Sequence, residues 1–452
     1  MRAIQKQLDN RFYAILSLPA TAMGFALSVQ IAALSWVLNT QFGFDAHQVG
    51  IVWLAGPLAG IFGQVIIGFI SDKVWFWNGR RRPFILIGGT IAAVMLLALP
   101  NIGGISKLLG TGSIIGVAIT VALTLDLAIN ISFNPTRSII ADVTPVGDPR
   151  TKGYTWMQTI SGFFGVAAYV IGAYIGNYEL IYIGAVLVFV FSVFPTLMIE
   201  EPRQMQEEET MPPAIAELAE GALDAVVIEE DNSGNFRNTQ TDWAGFMKIC
   251  LAHSFTWLGV QTMFVYTFFY IKQSILGHDA EATLDGAQSS QIGFIIGNSF
   301  AILNTVGFLL PAPVLAPLAK KIGRVRTHRY CIWMMALGYA AVVMLPPGFL
   351  NLALLMCVIG VGWAATVSLP FAIMSEVVDQ RRMGWFMGLF NLSVVLPQIG
   401  ASLLGGFIAA QPDKAVIFII SAVALSISGI LWSLVKESSG NASTAGAMSA
   451  GH

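Results

Sequence analysis

Twelve apolar runs separated by short polar turns set the architecture of this chain: residues 12–38, 47–71, 84–101, 112–141, 151–176, 178–199, 245–271, 290–318, 328–346, 350–373, 384–410 and 413–436. A helix needs roughly 20 apolar residues to cross the hydrocarbon core, and each run supplies enough, some with tilt. A helix also satisfies its own backbone polar groups in lipid. The expected fold class is therefore an all-α membrane protein with twelve transmembrane helices. One long break interrupts the pattern. Residues 200–243 are polar and acidic, with Glu207-Glu208-Glu209 and Glu229-Glu230-Asp231, and divide the runs six plus six. The expected organisation is an N-terminal six-helix bundle over 1–199, an acidic cytoplasmic linker over 200–243, a C-terminal bundle over 244–436 and a disordered Gly/Ala/Ser-rich cytoplasmic tail over 437–452. The first run is too long for a signal-peptide core and is expected to stay in the mature protein.

Charge sets the orientation. With both termini cytoplasmic, the outer loops hold only Lys107, Lys272 and Lys414, Arg137 falls inside a membrane segment, and the other 20 of the 24 Lys and Arg face inward. That asymmetry is the positive-inside pattern of a multi-pass protein of the inner (plasma) membrane. Composition agrees: 55% apolar residues, 11% charged and a mean hydropathy of +0.70 leave no room for a soluble domain. The net charge of -2 says nothing about nucleic acid, and with the basic residues in short loops forming no basic face or arm, no nucleic-acid partner is expected. Cys250, Cys331 and Cys357 stand apart from one another, so no metal or redox spacing exists. Neither H-E-x-x-H, G-x-S-x-G nor a P-loop occurs, and His253 reads as an interfacial residue; the chain is not expected to be an enzyme.

Segment four, LTLDLAINISFNPTRSIIADV, carries the chemistry. Asp126 lies at its middle, where an ionised carboxylate costs about 2.5 to 3.5 kcal/mol on the insertion scale. At 100° per residue, Asn130 falls about 40° and Arg137 about 20° round from Asp126, so the three share one stripe facing a polar cavity. Arg137 is roughly 16 Å along the axis from Asp126 and cannot neutralise it directly. Asp126 is then either hydrated or protonated, a carboxyl whose proton can come and go.

The two halves repeat weakly, as transporters with a central site between matched bundles do. Gln48-Val49-Gly50 opens segment two and Gln291-Ile292-Gly293 opens segment eight. Ala141-Asp142-Val143 after segment four is mirrored by Ser375-Glu376-Val377 after segment ten, with Asp379 close behind. The basic turn after segment two, with Asp72, Arg80 and Arg81, is mirrored after segment eight, where Lys320 stands in the place of Asp72. Asp72, Arg80, Arg81, Asp142, Glu376 and Asp379 are expected to form gating salt bridges that hold the cytoplasmic side shut while the site faces out.

The order Gly68, Asp72, Lys73, Gly79, Arg80, Arg81 is G-x-x-x-D-[RK]…G-R-[RK], which resembles the loop after the second helix in the major facilitator superfamily. The fuller GRRRPFI is similar to the sugar:cation symporters of the glycoside-pentoside-hexuronide type, in particular the sucrose-proton symporters and their animal and bacterial relatives. Leu125-Asp126-Leu127-Ala128-Ile129-Asn130, Pro135-Thr136-Arg137 and Ala141-Asp142 resemble the fourth helix of those symporters, and residues 388–406 resemble their eleventh. The resemblance implies that Asp126 is the proton site and that Arg137 serves substrate binding or coupling. Sugars need amide or carboxylate partners and flat apolar faces to stack on. Gln30, Asn130, Gln158, Trp257, Gln261, Asn298, Asn391 and Gln398, polar or aromatic residues in apolar helices, are the expected lining of the cavity. Sodium needs several oxygen ligands, and segment two has no acid between Val49 and Ser71, so a proton fits better as the coupling ion. The expected function is a monomeric, proton-coupled importer of a di- or oligosaccharide such as sucrose or maltose, with no cofactor and no metal. An uncoupled sugar facilitator or a sodium-coupled glycoside symporter is the alternative.

Overall fold

The computed structural model describes residues 5, 7–61, 74–145, 148–202, 240–279, 282–379 and 382–437. Asp72, most of the acidic linker and all of the tail beyond Glu437 lie outside the described residues. Twelve helical segments follow the apolar runs in the described part. They are α1 (Asn10–Phe42), α2 (Ala46–Ile61), α3 (Arg82–Ala98), α4 (Ile114–Val143), α5 (Asp148–Tyr174) and α6 (Asn177–Met198), then α7 (Trp243–Tyr270), α8 (Gly286–Leu309), α9 (Arg324–Met344), α10 (Phe349–Ser368), α11 (Met383–Leu403) and α12 (Val416–Trp432). Among the described residues, eight helices are both long and apolar enough to cross a bilayer, and α2 and α12 are shorter apolar helices. Twelve segments, an even number, put the first and last described residues, Gln5 and Glu437, at one end of the bundle, called here the end bearing the termini.

Local chemistry sets the helix starts. Asp45 accepts the backbone N–H of Gln48 at 2.8 Å while the Gln48 side chain accepts the N–H of Asp45 at 3.1 Å, a reciprocal cap that opens α2. Asp285 and Gln288 open α8 in the same way, at 2.8 and 3.0 Å. The repeat between halves is thus real at these two helix starts, but Gln288, rather than Gln291, takes the place of Gln48.

A second duplicated device sits at the end bearing the termini. Before α3 the chain makes a two-residue turn in which Phe76 and Gly79 exchange both backbone hydrogen bonds at 3.1 Å. Trp77 (φ 48°) and Asn78 (φ 59°) occupy the left-handed positions that such a turn requires. The turn aims the backbone N–H groups of Arg80, Arg81 and Arg82 at the carboxylate of Glu201, which accepts them at 2.7 to 3.0 Å from just beyond α6. Glu437, just beyond α12, accepts the N–H groups of Arg324, Val325 and Arg326 at 2.6 to 3.4 Å in the same way at the start of α9. Each glutamate places negative charge on orphan donors at a helix N-terminus. The last helix of each half is thereby tied to its third.

At the opposite end Lys107 is exposed, but the two other lysines are buried. Lys272 and Lys414 are 2% and 3% exposed, although they read as outer-loop charges in the sequence. The Lys414 ammonium donates to the carbonyls of Ile408, Ala409 and Gln411 at 3.0, 3.1 and 2.5 Å, closing the carbonyl end of the helical turn that follows α11.

If the two glutamate caps hold the halves together internally, Glu201→Ala and Glu437→Ala should each destabilise the purified protein by about 1 to 3 kcal/mol, since several backbone donors lose a charged acceptor. Thermal unfolding in detergent measures this. Melting temperatures equal to the parent's in both variants would show that the caps carry no stability.

Candidate functional site

Asp126 on α4 meets Gln30 on α1. The Gln30 Nε2 donates to the Asp126 Oδ2 at 2.9 Å, and Gln30 and Asp126 are 2% and 4% exposed. A protonated carboxyl keeps an acceptor oxygen, so this bond can persist in both protonation states. Gly56 of α2 faces the same carboxyl: a Cβ there would lie 3.5 and 3.6 Å from its two oxygens. A small residue thus stands where a side chain would press on the acid. Gln30, expected among the substrate-facing amides, directs one of its two amide N–H donors to Asp126. Asn130 turns its Nδ2 back to the Asp126 backbone carbonyl at 2.7 Å.

Arg137 lies on the same continuous helix, 7% exposed, with its guanidinium 4.0 Å above the Phe133 ring one turn before it. That contact lets a cation sit among apolar side chains. Gln158 of α5 is half-buried.

The second half presents a different surface. Gln261 of α7 and Gln398 of α11 meet at 3.4 Å, amide N–H to amide oxygen, and Asn391 lies half-buried on α11. Trp257 donates its indole N–H to His253 at 2.9 Å and packs edge-on against Trp363 of α10, ring centroids 6.0 Å apart. Trp363 in turn meets Phe264 at 5.4 Å. His253, read from the sequence as an interfacial residue, is instead 1% exposed and bonded to Trp257, and Trp363 and Phe264 were not among the expected lining; the four-residue spacing of His253 and Trp257 was the available signal. Asn298 takes a different place from its fellows. Its Oδ1 accepts the Tyr174 hydroxyl of α5 at 3.1 Å, and its amide donates to the Phe294 carbonyl, so it joins the seam between α5 and α8.

That seam is close-packed. A Cβ at Gly297 would come within 2.6 Å of the Tyr169 carbonyl oxygen, so the α5 and α8 backbones touch. The halves also meet at the end away from the termini. Ser35 of α1 donates to the Val265 carbonyl of α7 at 2.9 Å, and Trp36 donates to the Ser289 carbonyl of α8 at 2.8 Å. The Lys272 ammonium reaches Asn39 at 3.3 Å. Gly50 of α2 lies against the Ser402 carbonyl and the Tyr266 hydroxyl, and a Cβ at Gly405 would be 2.5 Å from the Ala46 carbonyl. This end is sealed.

At the end bearing the termini, the charged residues brace each half. Arg80 and Arg81 pair with Asp142 at 3.0 and 3.3 Å, joining the start of α3 to α4. Arg324 pairs with Glu376, joining α9 to the turn after α10. Asp379 donates its backbone N–H to the Thr241 hydroxyl at 2.9 Å, joining the turn after α10 to the segment that leads into α7. The ion pairs of Arg80, Arg81, Asp142 and Glu376 described here each lie inside one half, and Asp72 falls outside the described residues.

Two bundles of six helices around a polar centre, sealed at one end, define a membrane transporter. A model of the Major Facilitator Superfamily matches residues 16–399, and the chain belongs to that family. A sucrose transport protein of rice (Oryza sativa subsp. indica), SUT2, is 24% identical over 438 residues, covering 86% of this chain and 84% of that protein. A general alpha-glucoside permease of Schizosaccharomyces pombe is 30% identical over 138 residues, 29% of this chain and 25% of that one. The solved nucleoside transporter NupG shares the fold at a TM-score of 0.64 and 15% identity, covering 94% of this chain and 99% of that one.

Seating a larger side chain between α2 and α11 should keep the sealed end open. In Gly50→Leu, overpacking of about 1 to 3 kcal/mol would shift the ratio of closed to open forms by about 5- to 150-fold. Labelling of a cysteine introduced at Gln398 by a membrane-impermeant maleimide, added from that side, should rise while transport falls. Unchanged labelling and transport would show that this contact is not the seal.

Proposed function

We propose that this chain is a proton-coupled sugar symporter of the plasma membrane, importing a di- or oligosaccharide of the α-glucoside type, such as sucrose or maltose, by alternating access. The observation that carries the coupling is the buried Asp126–Gln30 pair, a single acid held by an amide inside one half. Sodium coordination calls for several oxygen ligands gathered together; around Asp126 stand an amide N–H donor and a glycine. The substrate class rests on the sucrose and alpha-glucoside relatives, and the Gln261–Gln398 amides and the Trp257 and Trp363 indoles of the second half are groups that suit a neutral, hydroxyl-rich solute. Both termini are assigned to the cytoplasm by the positive-inside bias, which makes the sealed end the outer one.

The cycle follows from the energetics of the acid. Facing out, Asp126 exchanges protons with water. Carrying its charge across the membrane core costs about 2.5 to 3.5 kcal/mol even on the lenient scale, so the ionised, empty site reorients slowly. Protonation removes that barrier, and the neutral acid keeps its Gln30 partner. Sugar and proton then move together as a neutral load and leave inside; the empty, ionised site returns in the slow, charge-carrying step, to which the membrane potential contributes about 2.3 kcal/mol per 100 mV. Arg137 is assigned to the sugar or to coupling, and the Asp142 and Glu376 pairs to bracing the cytoplasmic ends as the halves rock.

Asp126→Asn replaces the acid with an amide of similar size that cannot release a proton. In proteoliposomes the variant should exchange internal for external sucrose at near the parent's rate, yet lose accumulation driven by an imposed pH gradient. Uphill accumulation retained in Asp126→Asn would place the proton elsewhere and leave the α4 stripe as part of the sugar site alone.

A further inference from the structure

One turn before Trp257 on α7, His253 is 1% exposed and lies nearly parallel to the Phe390 ring of α11, with centroids 4.8 Å apart at 13°. Its Nε2 sits 2.9 Å from the indole nitrogen of Trp257. An indole N–H donates and never accepts. The imidazole nitrogen facing it therefore carries a lone pair, and the ring proton belongs on Nδ1. Trp257 has a single polar atom, and that atom is already bound within α7. Its ring is held on another side by Trp363, at 82°. What the half-buried indole has left to present is an apolar surface without a donor.

An indole can meet a sugar in two ways. Its N–H can bind a hydroxyl, a group common to every polyol. Its ring can instead lie against C–H bonds, which only a ring sugar with mostly equatorial hydroxyls offers as a flat patch. The first contact discriminates poorly, the second by shape. We propose that His253 is a positioning residue for substrate selection: by accepting the Trp257 N–H it makes that indole a donor-free stacking surface, favouring pyranosides over flexible polyols of similar hydroxyl content. The assignment rests on the sugar-transport reading above. His253 acts through Trp257 and touches no substrate itself. Its stack on Phe390 keeps the imidazole from following if the indole turns away.

Two substitutions separate the acceptor from the packing. His253→Phe keeps an aromatic ring against Phe390 and removes the acceptor; His253→Gln supplies a side-chain oxygen that can accept the N–H. Sucrose uptake is measured in proteoliposomes, and sucrose and sorbitol binding to the full-length protein by intrinsic tryptophan fluorescence. In His253→Phe the KM for sucrose should rise about five- to tenfold, the factor expected for one lost buried hydrogen bond, with Vmax within about twofold of the parent. The preference for sucrose over sorbitol should narrow by a similar factor, and His253→Gln should recover most of both. The proposal is overturned if His253→Phe keeps the parent's KM and preference, if His253→Gln is as impaired as His253→Phe, or if both variants lose Vmax alone. A folded parent that neither binds nor transports sucrose or maltose would instead overturn the sugar reading itself, and this assignment with it.

Discussion

A carboxylic acid in the middle of a membrane bundle has to be held by something that tolerates both of its charge states. In this protein Gln30 does that for Asp126, at 2.9 Å and almost fully buried. An arginine or lysine at that position would bind the ionised form more strongly and oppose protonation, because an opposite charge favours the charged acid. An apolar residue would leave the buried acid without a partner, which is costly in lipid. The amide lies between these extremes. Gly56 completes the arrangement by leaving the carboxyl uncrowded from α2. Since α1, α2 and α4 belong to one half, the acid and its supports can travel as one body while the halves move.

The halves divide the work unequally. The first holds the charged stripe of Asp126 and Arg137, and the second offers amides and edge-packed aromatics around Trp257, Trp363 and Phe264. Yet the frames carrying these different surfaces are alike. Asp45–Gln48 and Asp285–Gln288 start equivalent helices, and Glu201 and Glu437 fasten equivalent ends. Rigid, similarly braced bundles suit a mechanism in which two bodies rock about shared seams. The tight α5–α8 contact at Gly297 and the α2–α11 contact at Gly50 are such seams, built where only hydrogen occupies the side-chain position.

The helices were legible because the bilayer imposes one rule on every segment, and the apolar runs obey it. Asp126 was legible for the converse reason, as an acid where acids are unfavourable. Its partner was not: Gln30 lies 96 residues away, and nothing local distinguishes an amide that binds an acid from one that faces a sugar. Asn298 shows the same ambiguity, since its role at a helix seam depends on Tyr174, 124 residues earlier. Lys414 does stand in the turn before α12, as its place in an outer loop predicts, but its burial was not legible, because the carbonyls that receive it are exposed only by the way the preceding helix ends. The capping pairs were written as D-x-x-Q in both halves, but the Gln-x-Gly match drew the repeat out of register by three residues. His253–Trp257 was within reach, being a single helical turn.

The central claim is that one proton moves with each sugar molecule. It is tested most directly by adding sucrose or maltose to proteoliposomes that enclose a pH-sensitive dye, with sodium absent and the membrane potential clamped. Coupled transport predicts that sugar entry acidifies the interior, with proton and sugar fluxes in a fixed ratio near one. Sugar entry with no change in internal pH, or entry that depends on added sodium, would contradict it.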